Sequence, residues 1–109
     1  MPKYRNRPTW QGGERFDSAG EAGYAAHLDA LQAAGAIRGW RRGRRWALVP
    51  GVSLRPDFEV ELPDGTLECR DFKGVQTEAF RIKAAVWRVV YPDVPLVVVQ
   101  ADGTARRVA

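Results

Sequence analysis

At 109 residues, 45% of them hydrophobic, the chain can bury one core but not two; it does not have the composition of a disordered segment, and no apolar run approaches a membrane span. Seventeen Lys and Arg against thirteen Asp and Glu leave a net charge of +4, a balance that favours an anionic partner. The single cysteine, Cys69, rules out an intramolecular disulfide, and "MPKYRNRPTW" lacks the apolar stretch of a secretory signal, so the expected setting is a reducing cytoplasm.

In chain order, the first feature is a basic N-terminal arm at about residues 1–16, carrying Lys3, Arg5 and Arg7. The clearest helix follows in "FDSAGEAGYAAHLDALQAAG". Tyr24, Leu28 and Leu31 recur there at helical spacing, Ser18 and Glu21 form a capping box, and Gly35 ends the helix. His27, six residues beyond Glu21, falls on a different helical face and reads as an ordinary helix residue.

From Ile37 to Val49 the pattern is extended, with "WALV" as its best strand segment and Pro50-Gly51 as its stop. This stretch holds the second basic clump, "RGWRRGRRW". Arg38, Arg41, Arg42, Arg44 and Arg45 are interleaved there with Trp40 and Trp46. Guanidinium groups take phosphate oxygens two at a time and aromatic faces stack on bases, so Lys3, Arg5, Arg7, Arg41, Arg42, Arg44 and Arg45 are expected to contact DNA. A solvated strand edge that deters aggregation is the other reading of the same residues.

Next comes a hairpin, "RPDFEVELPDGTLECRDFKG", with strands at roughly 55–62 and 67–73. Pro63-Asp64-Gly65 fits a type I turn followed by a left-handed glycine. That loop sets Leu62 opposite Thr66, so 61 faces 67, 59 faces 69, and Asp57 faces Asp71 on one side of the hairpin. Cross-strand Cβ atoms lie about 4.5–5.5 Å apart, and like charges at that distance are destabilising, which points to a cation between them. Lys73, two residues beyond Asp71, projects to the same face.

Two carboxylates holding a divalent metal beside a lysine suit phosphodiester hydrolysis: the metal polarises a phosphoryl oxygen and activates water, and the lysine steadies charge. Magnesium is the expected ion, with manganese as a substitute, because no Cys/His cluster offers a zinc site. With fourteen arginines and three lysines in the chain, a lysine at 73 is not the default cation. Other roles are open to these residues. Asp57 after proline can form a turn, Asp71 can pair with Lys73 or Arg55, and the capping box already accounts for Glu21.

A second helix is expected in "TEAFRIKAAVWRVVYP", with Thr77 as its cap, Phe80, Ala84, Trp87 and Tyr91 on one face, and Pro92 as its stop. "PLVVVQ" reads as a strand covered on both faces, and "ARRVA" as a last edge strand. The expected order is α-β-β-β-α-β plus that edge strand, with one domain spanning 1–109.

"KYRNR", "RFDSAGEA", "AGAIRGW", "RPDF" and "DFKG", in this order over nearly the whole chain, resemble the PD-(D/E)XK nuclease superfamily. Within it they resemble a family of small phage-encoded proteins, close in size and layout to archaeal-type Holliday junction resolvases. The resemblance implies an α/β fold with a mixed central sheet flanked by helices. It also implies that Asp57 is the metal-binding aspartate, Asp71 and Lys73 belong to the (D/E)XK element, and Glu21 completes the metal site.

Four catalytic residues follow from it (Glu21, Asp57, Asp71, Lys73), with magnesium on the three carboxylates. The implied activity is a Mg-dependent endodeoxyribonuclease of the junction-resolvase kind, working as a homodimer on four-way DNA in the host cytoplasm. Its dimer surface could come from Trp87, Val90 and Tyr91 or from Trp40 and Trp46. Alternatives are another structure-specific or restriction-like nuclease, or a noncatalytic DNA-binding module. Relatives often carry a basic residue and alanine where this chain has Ala19 and Gly20, and an acidic residue where it has Arg70, which offers a phosphate contact instead.

Overall fold

The computed structural model of the protein describes residues 9–11, 14–16, 18–73 and 76–109. Its elements run β1 (Thr9–Gln11), β2 (Glu14–Phe16), α1 (Ala19–Ala33), β3 (Gly39–Arg42), β4 (Trp46–Val49), β5 (Val52–Leu54), β6 (Phe58–Glu61), β7 (Leu67–Phe72), α2 (Glu78–Val90), β8 (Leu96–Val99) and β9 (Ala105–Arg107). Lys3, Arg5 and Arg7 lie outside the described residues, so the expectation that they contact DNA has no structural counterpart here.

Both helices begin where side-chain chemistry predicts. Ser18 is extended and its hydroxyl accepts from the Glu21 N–H at 3.1 Å, and Thr77 does the same for Phe80 at 3.1 Å. At the end of α1 the Ala36 N–H reaches Leu31 O at 2.9 Å and the Gly35 N–H reaches Gln32 O at 3.1 Å, which satisfies the last carbonyls. α1 buries Ala22, Ala25 and Leu28; α2 buries Phe80, Ala84 and Trp87.

A five-stranded sheet in the order β3-β6-β7-β8-β9 organises the rest, antiparallel except for β7 and β8, which run parallel because α2 carries the chain across between them. β8 is buried at all four positions, as its unalternating valine run predicts. α1 packs with Phe58, Val60, Phe16 and Ile37 on one sheet face, and α2 with Cys69, Leu96 and Val98 on the other. Burial pushes the Cys69 thiol up to about 12, so it stays protonated and unreactive.

The fold is therefore mixed α/β, two helices with a mixed sheet. Taken in chain order, α1, β3, β6, β7, α2 and β8 follow the predicted α-β-β-β-α-β pattern, with β9 as the last edge strand. The stretch 37–49 departs from prediction. It is two strands, and "WALV" is not in the main sheet: β3 pairs with β6, while β4 leaves and pairs with β5. Pro50-Gly51 stops β4 at Val49, as predicted, and forms the turn into β5, with Gly51 at φ +79°. This hairpin delivers Leu48 and Leu54 to the α2-side core.

The aromatics named as candidates for a dimer surface, which the helical and strand patterns equally read as core, pack in or against the core. Trp87 is fully buried and donates to Val94 O at 2.8 Å. Trp46 lies 5.1 Å from Trp87 and 5.0 Å from Tyr91, and Trp40 stands edge-on to Phe58 at 5.6 Å. Of the named residues only Val90 is substantially exposed. Among the described residues no helix is long and apolar enough to cross a membrane.

Candidate active site

The β6–β7 hairpin sets the positions of Asp57, Glu59 and Asp71. Gly65 is left-handed at φ +88°, its N–H meets Leu62 O at 2.9 Å, and the Leu62 N–H meets Thr66 O at 2.9 Å. Asp64 fixes the loop by accepting from the Thr66 N–H at 3.0 Å and its hydroxyl at 2.7 Å. The ladder then runs Glu61↔Leu67, Val60↔Glu68, Glu59↔Cys69 and Phe58↔Arg70, the register that the turn predicts.

One step beyond that ladder stand Asp57 and Asp71. The Asp57 N–H donates to Asp71 Oδ1 at 3.1 Å, and the Phe72 N–H donates to Asp57 Oδ2 at 2.8 Å. Asp71 is buried and Asp57 half-buried. Lys73 Nζ lies 3.2 Å from Asp71 Oδ2 and 4.8 Å from the centre of the Phe80 ring, so the ammonium is held between a carboxylate and an aromatic face. Lys73, and not Arg55, is the partner of Asp71.

This lysine does not neutralise the pair. Burial, then a side-chain hydrogen bond with Asp71, then the charges of Asp71 and Glu21 push the Asp57 carboxyl up to about 8, against a lowering contribution from the Phe72 N–H. At neutral pH the pair therefore keeps a proton. Glu21, in the first turn of α1, is close enough for its charge to reach Asp57. Yet among the described residues no three His, Cys, Asp or Glu side chains gather as a group that could hold a metal ion. The structure brings Asp57, Asp71 and Lys73 into contact and leaves Glu21 as a longer-range neighbour.

Residues 1–103 match the model of a family described as a protein of unknown function, DUF1064. The chain belongs to the DUF1064 family. No curated protein and no solved structure matches it.

In this DUF1064 chain the second basic clump runs directly past the carboxylates. The Gly43 N–H donates to Asp57 O at 3.0 Å, and a Cβ on Gly43 would sit 1.7 Å from Pro56 O. Only glycine lets the arginine segment pass so close. Arg41, Arg42, Arg44 and Arg45 are all exposed, but two are engaged by a residue that the sequence reading overlooked. Glu59, 1% exposed, accepts at Oε1 from Arg41 Nε at 3.0 Å and Nη2 at 2.7 Å. Its Oε2 accepts from the Arg44 N–H at 2.9 Å and Trp46 Nε1 at 3.1 Å, with Arg44 Nε at 3.4 Å.

Arg41 and Arg44 remain 60% exposed at the side chain, so each keeps donor edges toward solvent while anchored from behind. Arg42 lies on the other sheet face, 4.3 Å over the Phe16 ring. Arg70, read from sequence as a phosphate contact, is bound inward: its guanidinium donates to Glu68 at 2.7 Å and Tyr24 Oη at 2.9 Å. Gly20 has a packing reason, since a Cβ there would come within 2.6 Å of the Phe72 ring.

Glu59 carries a stability prediction. Burial alone would push its carboxyl up; the Arg44 backbone N–H, Arg41 and Trp46 outweigh burial and hold it below its ordinary 4.5. Its contribution is present above the unfolded glutamate's value and lost as pH falls through the lower folded one. Glu59→Ala should cost about 2–3 kcal/mol, less than breaking a fully buried pair because both guanidinium groups keep water. Glu59→Gln should flatten the acid limb of stability, and urea unfolding at neutral and acid pH reads both. An unchanged acid limb would remove Glu59 as its cause.

Proposed function

We propose that the protein is a metal-dependent endodeoxyribonuclease with the PD-(D/E)XK arrangement, cutting four-way DNA junctions as a dimer. What carries the reading is the cross-strand pair Asp57 and Asp71 with Lys73 at 3.2 Å, an oxygen-only donor set whose half-buried member is pushed up to about 8. Strained like-charge pairs of this kind cluster at functional sites. The order of elements and the basic segment alongside the pair support it further.

The donors fit magnesium, which binds through one or two carboxylates and keeps several waters. Asp57 and Asp71 would hold it, with Glu21 adding charge from α1. When bound, the ion would supply Lewis-acid polarisation of the phosphoryl oxygen and a more acidic water. Lys73 provides a fixed positive charge beside the pair, placed to steady charge developing on the phosphate oxygens. Arg41 and Arg44, braced on Glu59, offer their outer donor edges to backbone phosphates, which orients DNA without reading its sequence.

The test is cleavage of a labelled four-way junction and a linear duplex of matching sequence, each with magnesium and with chelator. Paired, symmetric, magnesium-dependent cuts in the junction alone are expected, as a two-fold dimer delivers. Cuts in both substrates would discard junction selectivity, and binding without cutting would leave a noncatalytic DNA-binding module.

A further inference from the structure

A second basic feature lies at the opposite edge of the sheet from the β3 segment. Between α2 and the edge strand β9 runs an open groove of about 440 Å³, lined by Gln76, Arg81, Ala85, Arg88, Arg106 and Arg107 among others, with no acidic side chain in its wall. These arginines come from two separate stretches of chain, so no cluster announces them in the sequence.

Four guanidinium groups in one groove repel one another unless an anion lies between them. Among the described residues none of the four pairs with an Asp or Glu side chain. Arg88 Nη2 donates to Val108 O at 2.7 Å and Arg107 Nε to Ala109 O at 2.9 Å, contacts that orient both groups. Arg81 and Arg106 are exposed and make no such contact.

The spacing favours an extended polyanion over a single phosphate. Arg81 and Arg88 are seven residues apart on α2, about 10 Å along its axis. That length exceeds the reach of a single phosphate and matches neighbouring phosphates of one strand.

Position ties the groove to the carboxylates. Asp71 pairs with Val98 across the parallel β7–β8 ladder, and Val98 pairs with Arg106 across β8–β9. Arg106 therefore stands on the same sheet face as Asp71, two strand spacings or about 10 Å away. The groove opens beside Gln76, three residues beyond Lys73, whose N–H is bound to Val99 O at the end of β8.

We infer that the α2–β9 groove holds the backbone phosphates of a DNA arm passing over the carboxylate pair, so that the duplex is gripped on both sides, by β3 arginines and by β9 arginines. This rests on the proposed nuclease reading and adds the path of the DNA. The groove contributes charge and no base reading, so its effect is the same for every sequence.

The test uses Arg81→Ala with Arg106→Ala in the full chain, two exposed positions without carboxylate or carbonyl partners, with thermal unfolding as a check of folding. Binding of a labelled duplex in chelator, followed by anisotropy across a salt series, should weaken about tenfold or more, and the salt slope should flatten by about two. Wild-type affinity and slope in the double variant would overturn the inference while leaving cleavage by the native protein, and hence the nuclease reading, intact. Lost binding in the variant, with a native protein that binds but never cuts, would sustain the groove and remove the nuclease. A native protein that does not bind DNA would overturn both.

Discussion

Asp57→Asn should give a protein that no longer cuts DNA yet unfolds at a higher temperature in chelator at neutral pH. Both effects come from one carboxyl. In the folded chain Asp57 is pushed up from its ordinary 3.8 to about 8, chiefly by burial and by Asp71, so the folded state binds its proton more tightly than the unfolded state. A raised carboxyl contributes its full stability below the unfolded value and loses it progressively as pH rises toward the folded one.

Asparagine does not titrate, so the variant should gain on the native protein as pH climbs from about 4 to about 8. Magnesium that binds the folded pair should raise the native midpoint in the upper part of this range and leave the variant unmoved. Asp71→Asn should lose cleavage without the same gain, because Lys73 would forfeit its 3.2 Å partner. The cleavage loss should be on the order of 10²–10³-fold or more, as for removal of a group that stabilises transition-state charge. Identical midpoint-versus-pH curves for native and Asp57→Asn would sink the electrostatic account. Retained cleavage would sink the catalytic one.

The hairpin that creates this pair was legible because its register depends on local chemistry. Pro63-Asp64-Gly65 selects one loop, the loop selects one pairing, and a period of two carries the pairing back to Asp57 and Asp71. Ser18 and Thr77 were legible for the same reason, as each cap acts within three residues of itself.

What the sequence concealed depends on partners distant along the chain. "RGWRRGRRW" looks like free positive charge until β3 pairs with β6 and brings Arg41 opposite Glu59. The alternation in "FEVE" does place Glu59 on the face opposite Phe58 and Val60, but nothing local says that this face is buried there. "WALV" reads equally well as a sheet strand or a hairpin strand, and only its pairing with β5 separates the two. The arginines of α2 and β9 escape notice for the same reason: the fold, not the spacing, puts them together.

Gly43→Ala tests the most crowded of these approaches. The added Cβ would fall 1.7 Å from Pro56 O and 2.7 Å from Pro56 C, both backbone atoms that no rotamer change can clear. Relief requires β3 and the residues before β6 to separate, which breaks the 3.0 Å bond from the Gly43 N–H to Asp57 O and strains the adjoining Arg42↔Phe58 pair. The expected cost is at or above the top of the usual overpacking range of about 1–3 kcal/mol. For a domain of this size that lowers the thermal midpoint by roughly 10–20 °C.

Gly23→Ala is the matched control, since a Cβ there meets nothing within 4 Å and the residue lies inside α1. Removing a helix-interior glycine should be neutral or stabilising by about 0.5–1 kcal/mol. Activity should fall further in Gly43→Ala than unfolding alone explains, because moving Asp57 by about 1 Å misaligns the pair and can cost on the order of 10²-fold. Cleavage measured well below both midpoints separates the two effects. If Gly43→Ala were as stable as Gly23→Ala, the arginine segment would not press against the Asp57 backbone. Any influence of that segment on the carboxylates would then have to act through charge alone.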